Sequence, residues 1–191
     1  MLLNIRVANT INRLLKLERG FVMSKFIEVK PEEFNGNPFK LIGRDGMLIT
    51  AARDGKVNTM TAGWGGFGVM WGRNVAYAVI RPQRYTKEFV DSSDTFSLTF
   101  FGSDKKEMLN YLGTTSGRDE DKIKKSNLTV IYDDATPYFE EATVAVLCKK
   151  LFTQDYKPES FIEKGIIDRW YPASDFHTLY IAEIIKIFVK E

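Results

Sequence analysis

Two arginines three residues apart, leading into a threonine, are the residues best suited to hold an anion in this chain: Arg81-Pro82-Gln83-Arg84-Tyr85-Thr86. Proline fixes the backbone at a strand end, Tyr85-Thr86 reads as the opening of a helix, and Thr86 is placed to cap it. The free amides of such a turn attract negative charge, and guanidinium groups offer planar donors that match phosphate oxygens. The same six residues also describe an ordinary capped helix with two surface arginines, so alone they leave both readings open. Asn58-Thr59-Met60-Thr61 sets short polar side chains along a strand with main-chain groups beside them. That lining suits the hydrogen-bonding edge of a flat heteroaromatic ring, although a plainly polar strand has the same composition.

The other reactive residue types are sparse. His177 is the only histidine, and its plain reading is a partly exposed residue at the start of a strand. Cys148, the only cysteine, lies in a strongly apolar run and reads as a small buried side chain. One cysteine makes no internal disulfide, and with one histidine it makes no common zinc site, so no metal centre is expected. Gly63, Gly65 and Gly68 spell G-x-G-x-x-G, but the dinucleotide fingerprint needs a helix beginning at its glycines, and Val69-Met70-Trp71-Gly72 leads into a strand instead. No serine–histidine–acid order, paired-carboxylate motif or phosphate-binding loop is recognisable.

The elements that must position these residues are mostly strands. MLITAA (47–52) is a β-branched apolar run, Asp54-Gly55 marks a tight hairpin, and the chain returns from Val57 as the partner strand. Residues 63–72 are too rich in glycine for a helix and read as a loop between strands. Val75-Ala76-Tyr77-Ala78-Val79-Ile80 is apolar throughout, as in a strand buried on both faces, and a short helix through Phe89 and Val90 ends near Ser92. FSLTFF (96–101) alternates, with Phe96, Leu98 and Phe100 on one face and Ser97 and Thr99 on the other. A short helix follows over 105–112, then the polar run 113–121 and another short helix containing Ile123. LTVIY (128–132) and ATVAVLCKKLF (142–152) read as strands, and 153–176 as a loop-rich excursion. LYIAEIIKIFV (179–189) closes the chain, with Leu179, Ile181, Ile185, Ile187 and Val189 on one face. Six or more strands with few, short helices predict a mainly β barrel or sandwich.

At 191 residues, with 44% hydrophobic and 27% charged, the chain makes one domain with a real core. A net charge of +2 argues against a nucleic-acid footprint or a polybasic membrane patch. A cytoplasmic, reducing compartment is the expectation. Residues 1–22 differ in character: they are basic, with only broken apolar runs and no small-residue cleavage site, so they do not read as a secretory signal. Ile11, Leu14 and Leu15 would share one face of a short helix. Met23-Ser24-Lys25 resembles an ordinary bacterial protein start, and Glu18-Arg19-Gly20 can be encoded by a purine-rich ribosome-binding sequence. The extension 1–22 is therefore read as a mis-assigned start ahead of a domain at 23–191. A peptide from residues 2–17 in the native protein would refute this.

Three ordered motifs carry a family resemblance: Asn58-Thr59-Met60-Thr61-Ala62-Gly63-Trp64, then Arg81-Pro82-x-Arg84-Tyr85-Thr86, then Ser116-Gly117-Arg118-Asp119-x-Asp121-Lys122. From about Phe34 onward the chain resembles the flavin reductase-like family, in particular its flavoredoxin-type branch. The resemblance implies a Greek-key-like, FMN-binding split β-barrel, usually a homodimer with the cofactor near the subunit interface. It places Asn58, Thr59, Met60 and Thr61 beside the flavin and its ribityl chain. Arg84, Tyr85 and Thr86 fall at the phosphate turn with Arg81 near by, and Ser97 and Leu98 on the strand lining the ring. Ser116, Arg118 and Lys122 become further phosphate or partner-subunit contacts. His177 matches the histidine of a G-D-H-x-x-x-x-G-E pattern that also ends in Glu183, but Asp175 is one position early, Phe176 replaces the acid and Ala182 the glycine. The implied chemistry is an NAD(P)H-dependent flavin reductase, in which hydride passes from nicotinamide C4 to flavin N5 and on to a flavin or other acceptor. A flavoredoxin-type carrier exchanging electrons with protein partners uses the same contacts, and a barrel that has lost its cofactor is the third reading.

Overall fold

A computed structural model describes residues 26–191; the expectations for the N-terminal extension and for Met23-Ser24-Lys25 lie outside the described residues. The strands are β1 (Phe26–Val29), β2 (Met47–Arg53), β3 (Lys56–Ala62), β4 (Gly65–Met70), β5 (Arg73–Ile80), β6 (Thr95–Phe100), β7 (Val130–Asp133), β8 (Thr136–Phe139), β9 (Val144–Asp155) and β10 (Thr178–Lys190). Four α-helices lie among the described residues: α1 (Tyr85–Ser92), α2 (Lys106–Thr114), α3 (Lys122–Lys125) and α4 (Gly165–Trp170). Among the described residues no helix is long and apolar enough to cross a membrane.

One antiparallel sheet runs in the order β3-β2-β6-β9-β10-β5-β4, with β1 paired to the far half of β10. The hairpins β2–β3 and β4–β5 occupy opposite ends of that path, and β6, β9 and β10 fill the middle, giving Greek-key-like crossovers. The sheet curls until its ends meet. Phe67 of β4 lies 6.2 Å, ring to ring, from Phe100 of β6. Residues from Met60 on β3 to Ala76 on β5 share one buried cluster with Phe96, Leu98, Val146 and Tyr180. Yet β3 and β4, joined only through Gly63-Trp64, do not pair. The barrel is split there, mainly β with short helices as expected.

The glycine-rich stretch is not a loop. It forms β4, whose partners on β5 run from Gly65 opposite Ala78 to Met70 opposite Arg73, and the turn between them has positive φ at Trp71 (53°) and Gly72 (69°). Glycine is needed at Gly65 in particular: φ is +151°, and a Cβ would run into the carbonyl oxygen of Tyr77. Asp54 and Gly55 form the expected hairpin turn, both at positive φ. A hairpin, β7–β8, covers the outer face of β6, so Ser97 and Thr99 are buried rather than solvent-facing, and Ser97 Oγ donates to Pro137 O at 2.6 Å. Strand β10 does not keep one apolar face, because register shifts at 181/182 and 184/186 re-aim it. Tyr180, Ala182 and Ile184 point into the core, Ile185 is pushed out, and Ile187 returns. A second cluster packs Leu109 and Leu112 of α2 against Leu48, Phe101 and Phe139, fixing α2 beside the end of β3.

Candidate functional site

The split in the barrel opens into three hollows that meet at Arg84. The first, the wide hollow at the mouth of the split, is about 390 Å³ and is bordered by the end of β3 (Met60 to Ala62), Gly63, Trp64, Val79, Arg81, Gln83, Arg84, Trp170 and His177. The second, about 570 Å³, runs along α2 past Thr61, Lys106, Asn110 and Gly113. The third is narrow, about 130 Å³, and lies between Asn58 and Met60 of β3, the start of α1 and the turn 114–117, with Lys122 in its wall.

Two cations define the narrow hollow. Arg84 donates through Nη1 to Gly113 O at 2.6 Å and through Nη2 to Thr61 O at 3.4 Å. Lys122, only 3% exposed, donates through Nζ to Leu112 O at 2.8 Å and Thr115 O at 2.7 Å. Carbonyls at the end of α2 suit cations, because the helix dipole leaves partial negative charge there. Among the described residues neither side chain has a carboxylate within ion-pair distance. Burial, and then the neighbouring Arg81, lower the Arg84 pKa; burial, and then Arg84, bring Lys122 down to about 8. The first turn of α1 points further amides that no carbonyl of the helix can take. The hollow is electropositive by construction and suited to an anion.

Two neighbouring arginines are already matched. Arg118 pairs with Glu88 and lies 4.5 Å from the centre of the Tyr85 ring, and Glu88 also pairs with Arg53. Arg81, expected beside the phosphate turn, pairs with Asp175 and borders the wide hollow instead. Thr86 does not cap α1: the N-cap is Arg84, with no side-chain cap. Thr86 lies two residues beyond the cap position, and its Oγ1 accepts from Asn58 Nδ2 at 2.9 Å, fixing that carboxamide in the wall.

Of the residues singled out by sequence, Asn58, Met60, Thr61, Arg84, Tyr85, Thr86, Ser116 and Lys122 come together around the connected hollows, and Arg81 and His177 border the wide one. Three do not. Thr59 is buried with its hydroxyl bonded to Thr50 Oγ1 at 2.8 Å and Ile49 O at 3.1 Å. Leu98 is a core residue, and Ser97 is held by Pro137. None of the three borders a hollow, because a strand alternates its faces and β6 is covered on both. His177 is not the partly exposed strand-start residue of the plain reading. It is 7% exposed, its Nδ1 lies 2.8 Å from Tyr171 Oη, and its ring centre lies 5.0 Å from that of Trp64. Burial, and then Arg81, push its pKa down to about 4, so the ring is neutral at pH 7. Trp170, Trp64 and Gln83 also border the wide hollow. Trp64 closes the first motif, and Gln83 sits inside the second. Trp170 carried no sequence signal, since a long-range contact brings it there. Cys148 is fully buried, which raises its pKa and keeps the thiol protonated.

Fold and site together define an antiparallel split barrel with an aromatic hollow and an electropositive one along its open seam. Residues 40–191 match the family model described as flavin reductase like domain, and the chain belongs to that family. Solved structures share the fold. The flavoredoxin from Methanosarcina acetivorans is 21% identical, with a TM-score of 0.62 over 87% of this chain and 76% of that one. An FMN-binding domain of a flavin reductases-like enzyme from Shewanella baltica is 18% identical, with a TM-score of 0.64 over 89% and 80%. The flavoredoxin of Desulfovibrio vulgaris is 23% identical, with a TM-score of 0.59 over 76% and 69%. A comparison with curated proteins returned no match.

Proposed function

We propose that this protein binds FMN along the split and passes electrons from NAD(P)H through it to a flavin or other acceptor. The observation that carries this reading is the pair Arg84 and Lys122, one half-buried cation and one buried, beside a helix N-terminus with no carboxylate among the described residues to balance them. A phosphate supplies the missing charge and accepts from both side chains and the turn amides. Arg84, Lys122, Tyr85, Thr86 and Ser116 would hold the phosphate, and Asn58, Met60 and Thr61 the ribityl chain and ring edge. The ring would lie in the wide hollow against Trp64, Trp170 and the neutral His177. When bound, FMN supplies a carrier able to take two electrons from a nicotinamide and release them singly or together. The protein's own part is to orient the ring, to exclude water through Trp64 and Trp170, and to offer stacking surface to the donor.

The test is anaerobic mixing of the FMN-loaded protein with NADH and with NADPH. Rapid bleaching of the flavin absorbance supports the reductase; no bleaching with either sinks it. A flavoredoxin-type carrier is the second reading. Trp64 and Trp170, 39% and 41% exposed at the mouth of the wide hollow, favour it by offering aromatic surface to a protein partner.

The proposal extends to a homodimer working in the cytoplasm. Val69 and Trp71 at edge strand β4 are exposed, and Trp71 lies 6.1 Å, ring to ring, from Phe152, giving an apolar patch that a second copy would cover. Sedimentation analysis showing only monomer would remove the dimer.

A further inference from the structure

The excursion between β9 and β10 closes at its base, where Tyr156 N donates to His177 O at 2.8 Å. Its far part is tied to the barrel by one cluster. Arg81 pairs with Asp175, and Gln83 Nε2 donates to the same carboxylate at 2.8 Å. Arg81 Nη2 donates to Trp170 O at 2.8 Å, and the guanidinium lies 5.1 Å from the centre of the Tyr171 ring. With its fork shared between a carboxylate and a carbonyl and its face against an aromatic ring, Arg81 has little freedom to turn. The consequence is at the wide hollow: Trp170 is held edge-to-face against Trp64, 5.0 Å between ring centres, as part of the wall.

We propose that Trp170 determines which electron partner can stack in the wide hollow, and that Arg81 is the positioning residue that holds it there, directly at the Trp170 carbonyl and with Asp175 fixing the guanidinium. This rests on the reading of that hollow as the ring site. Trp64, Trp170 and His177 present aromatic surface that favours a flat ring of nicotinamide size. Releasing Trp170 removes one stacking wall and widens the mouth, so a small donor loses affinity while a bulky acceptor gains access. Arg81 thereby acts on the partner, whereas Arg84 acts on the phosphate.

The test uses the FMN-loaded protein and the variants Trp170→Ala, Arg81→Ala, Arg81→Lys and Asp175→Asn. Trp170→Ala and Arg81→Ala should raise KM for the nicotinamide donor about tenfold, the size expected from losing one ordered contact, and leave kcat nearly unchanged. Arg81→Lys, which keeps the charge, should recover part of the loss, and FMN affinity should stay near the wild-type value in the Arg81 and Asp175 variants, which leave the Trp170 ring in place. Limited trypsin digestion at Lys164 and Arg169 should be faster in Arg81→Ala and Asp175→Asn. Unchanged KM, or kcat falling with KM unchanged, overturns the proposal, as does unchanged digestion. If the wild type bleaches with neither nicotinamide, the reductase reading has failed on its own. The variants are then read by iodide quenching of bound flavin, where an increase supports the role of Trp170 as gatekeeper and no change overturns it. A wild type that binds no FMN overturns both.

Discussion

Arg84 and Lys122 hold the last turn of the same helix: Arg84 Nη1 donates to Gly113 O at 2.6 Å, and Lys122 Nζ donates to Leu112 O at 2.8 Å. Burial, and then Arg84, lower the tendency of Lys122 to carry a proton, and among the described residues no carboxylate pairs with either. Carbonyl dipoles offset only part of two full charges, so the free protein carries an electrostatic cost that an anion would relieve. Arg84→Ala is therefore expected to weaken FMN binding by about 1.5–3 kcal/mol. The free protein should lose little or no thermal stability. Fluorescence titration and melting curves check both halves; unchanged affinity removes Arg84 from the site.

Lys122 gives the binding a pH dependence. Its pKa is brought down to about 8 in the free protein, and a phosphate beside it would raise that value. Binding should then take up a proton at pH values just above 8, and affinity should fall as pH rises through that range. Calorimetry in two buffers of different ionisation enthalpy measures the uptake directly. Lys122→Met should abolish it, and an uptake that persists in the variant belongs to another group.

His177 contributes to acid lability. Its folded-state pKa, about 4, lies below the ordinary 6.5, so the unfolded chain binds the proton first. Stability is fully present above about 6.5 and is lost as pH falls towards 4, by on the order of 3 kcal/mol. His177→Gln, which retains a partner for Tyr171 but cannot titrate, should flatten this part of the stability–pH curve. An equally steep curve for the variant would show that the loss comes from elsewhere.

Two glycines separate fold from site. A Cβ at Gly65 would meet the backbone oxygen of Tyr77 at a φ of +151°, and neither can move without parting β4 from β5. Gly65→Ala should cost at least about 3 kcal/mol of stability. A Cβ at Gly117 would instead strike Asn58 Oδ1, a side chain held in the phosphate hollow by Thr86. Gly117→Ala should reduce FMN affinity about tenfold while costing only about 1 kcal/mol of stability. The reverse pattern would misplace the site.

Much of this was legible in the chain, and the exceptions share a cause. Apolar alternation and the Asp54-Gly55 turn exposed β2, β3 and β6, and Arg84 announced itself by its place before a helix. Glycine content hid β4, because it reports backbone freedom and not the close approach to Tyr77 that requires it here. The bulge at Ile185 broke the alternation assumed for β10. Thr59, Ser97 and Leu98 border no hollow, and local pattern does not say which strand face meets the groove. Trp170 was missed because its position depends on the contact between Arg81 and Asp175, 94 residues apart.

The central claim is that Arg84 and Lys122 await a phosphate, and FMN against riboflavin tests it most directly, because the two ligands share a ring and differ in that group. Titration of the flavin-free protein should show FMN bound at least about tenfold more tightly than riboflavin, with the preference erased in Arg84→Ala. Equal affinity for the two flavins, or a preference that survives in Arg84→Ala, would contradict it.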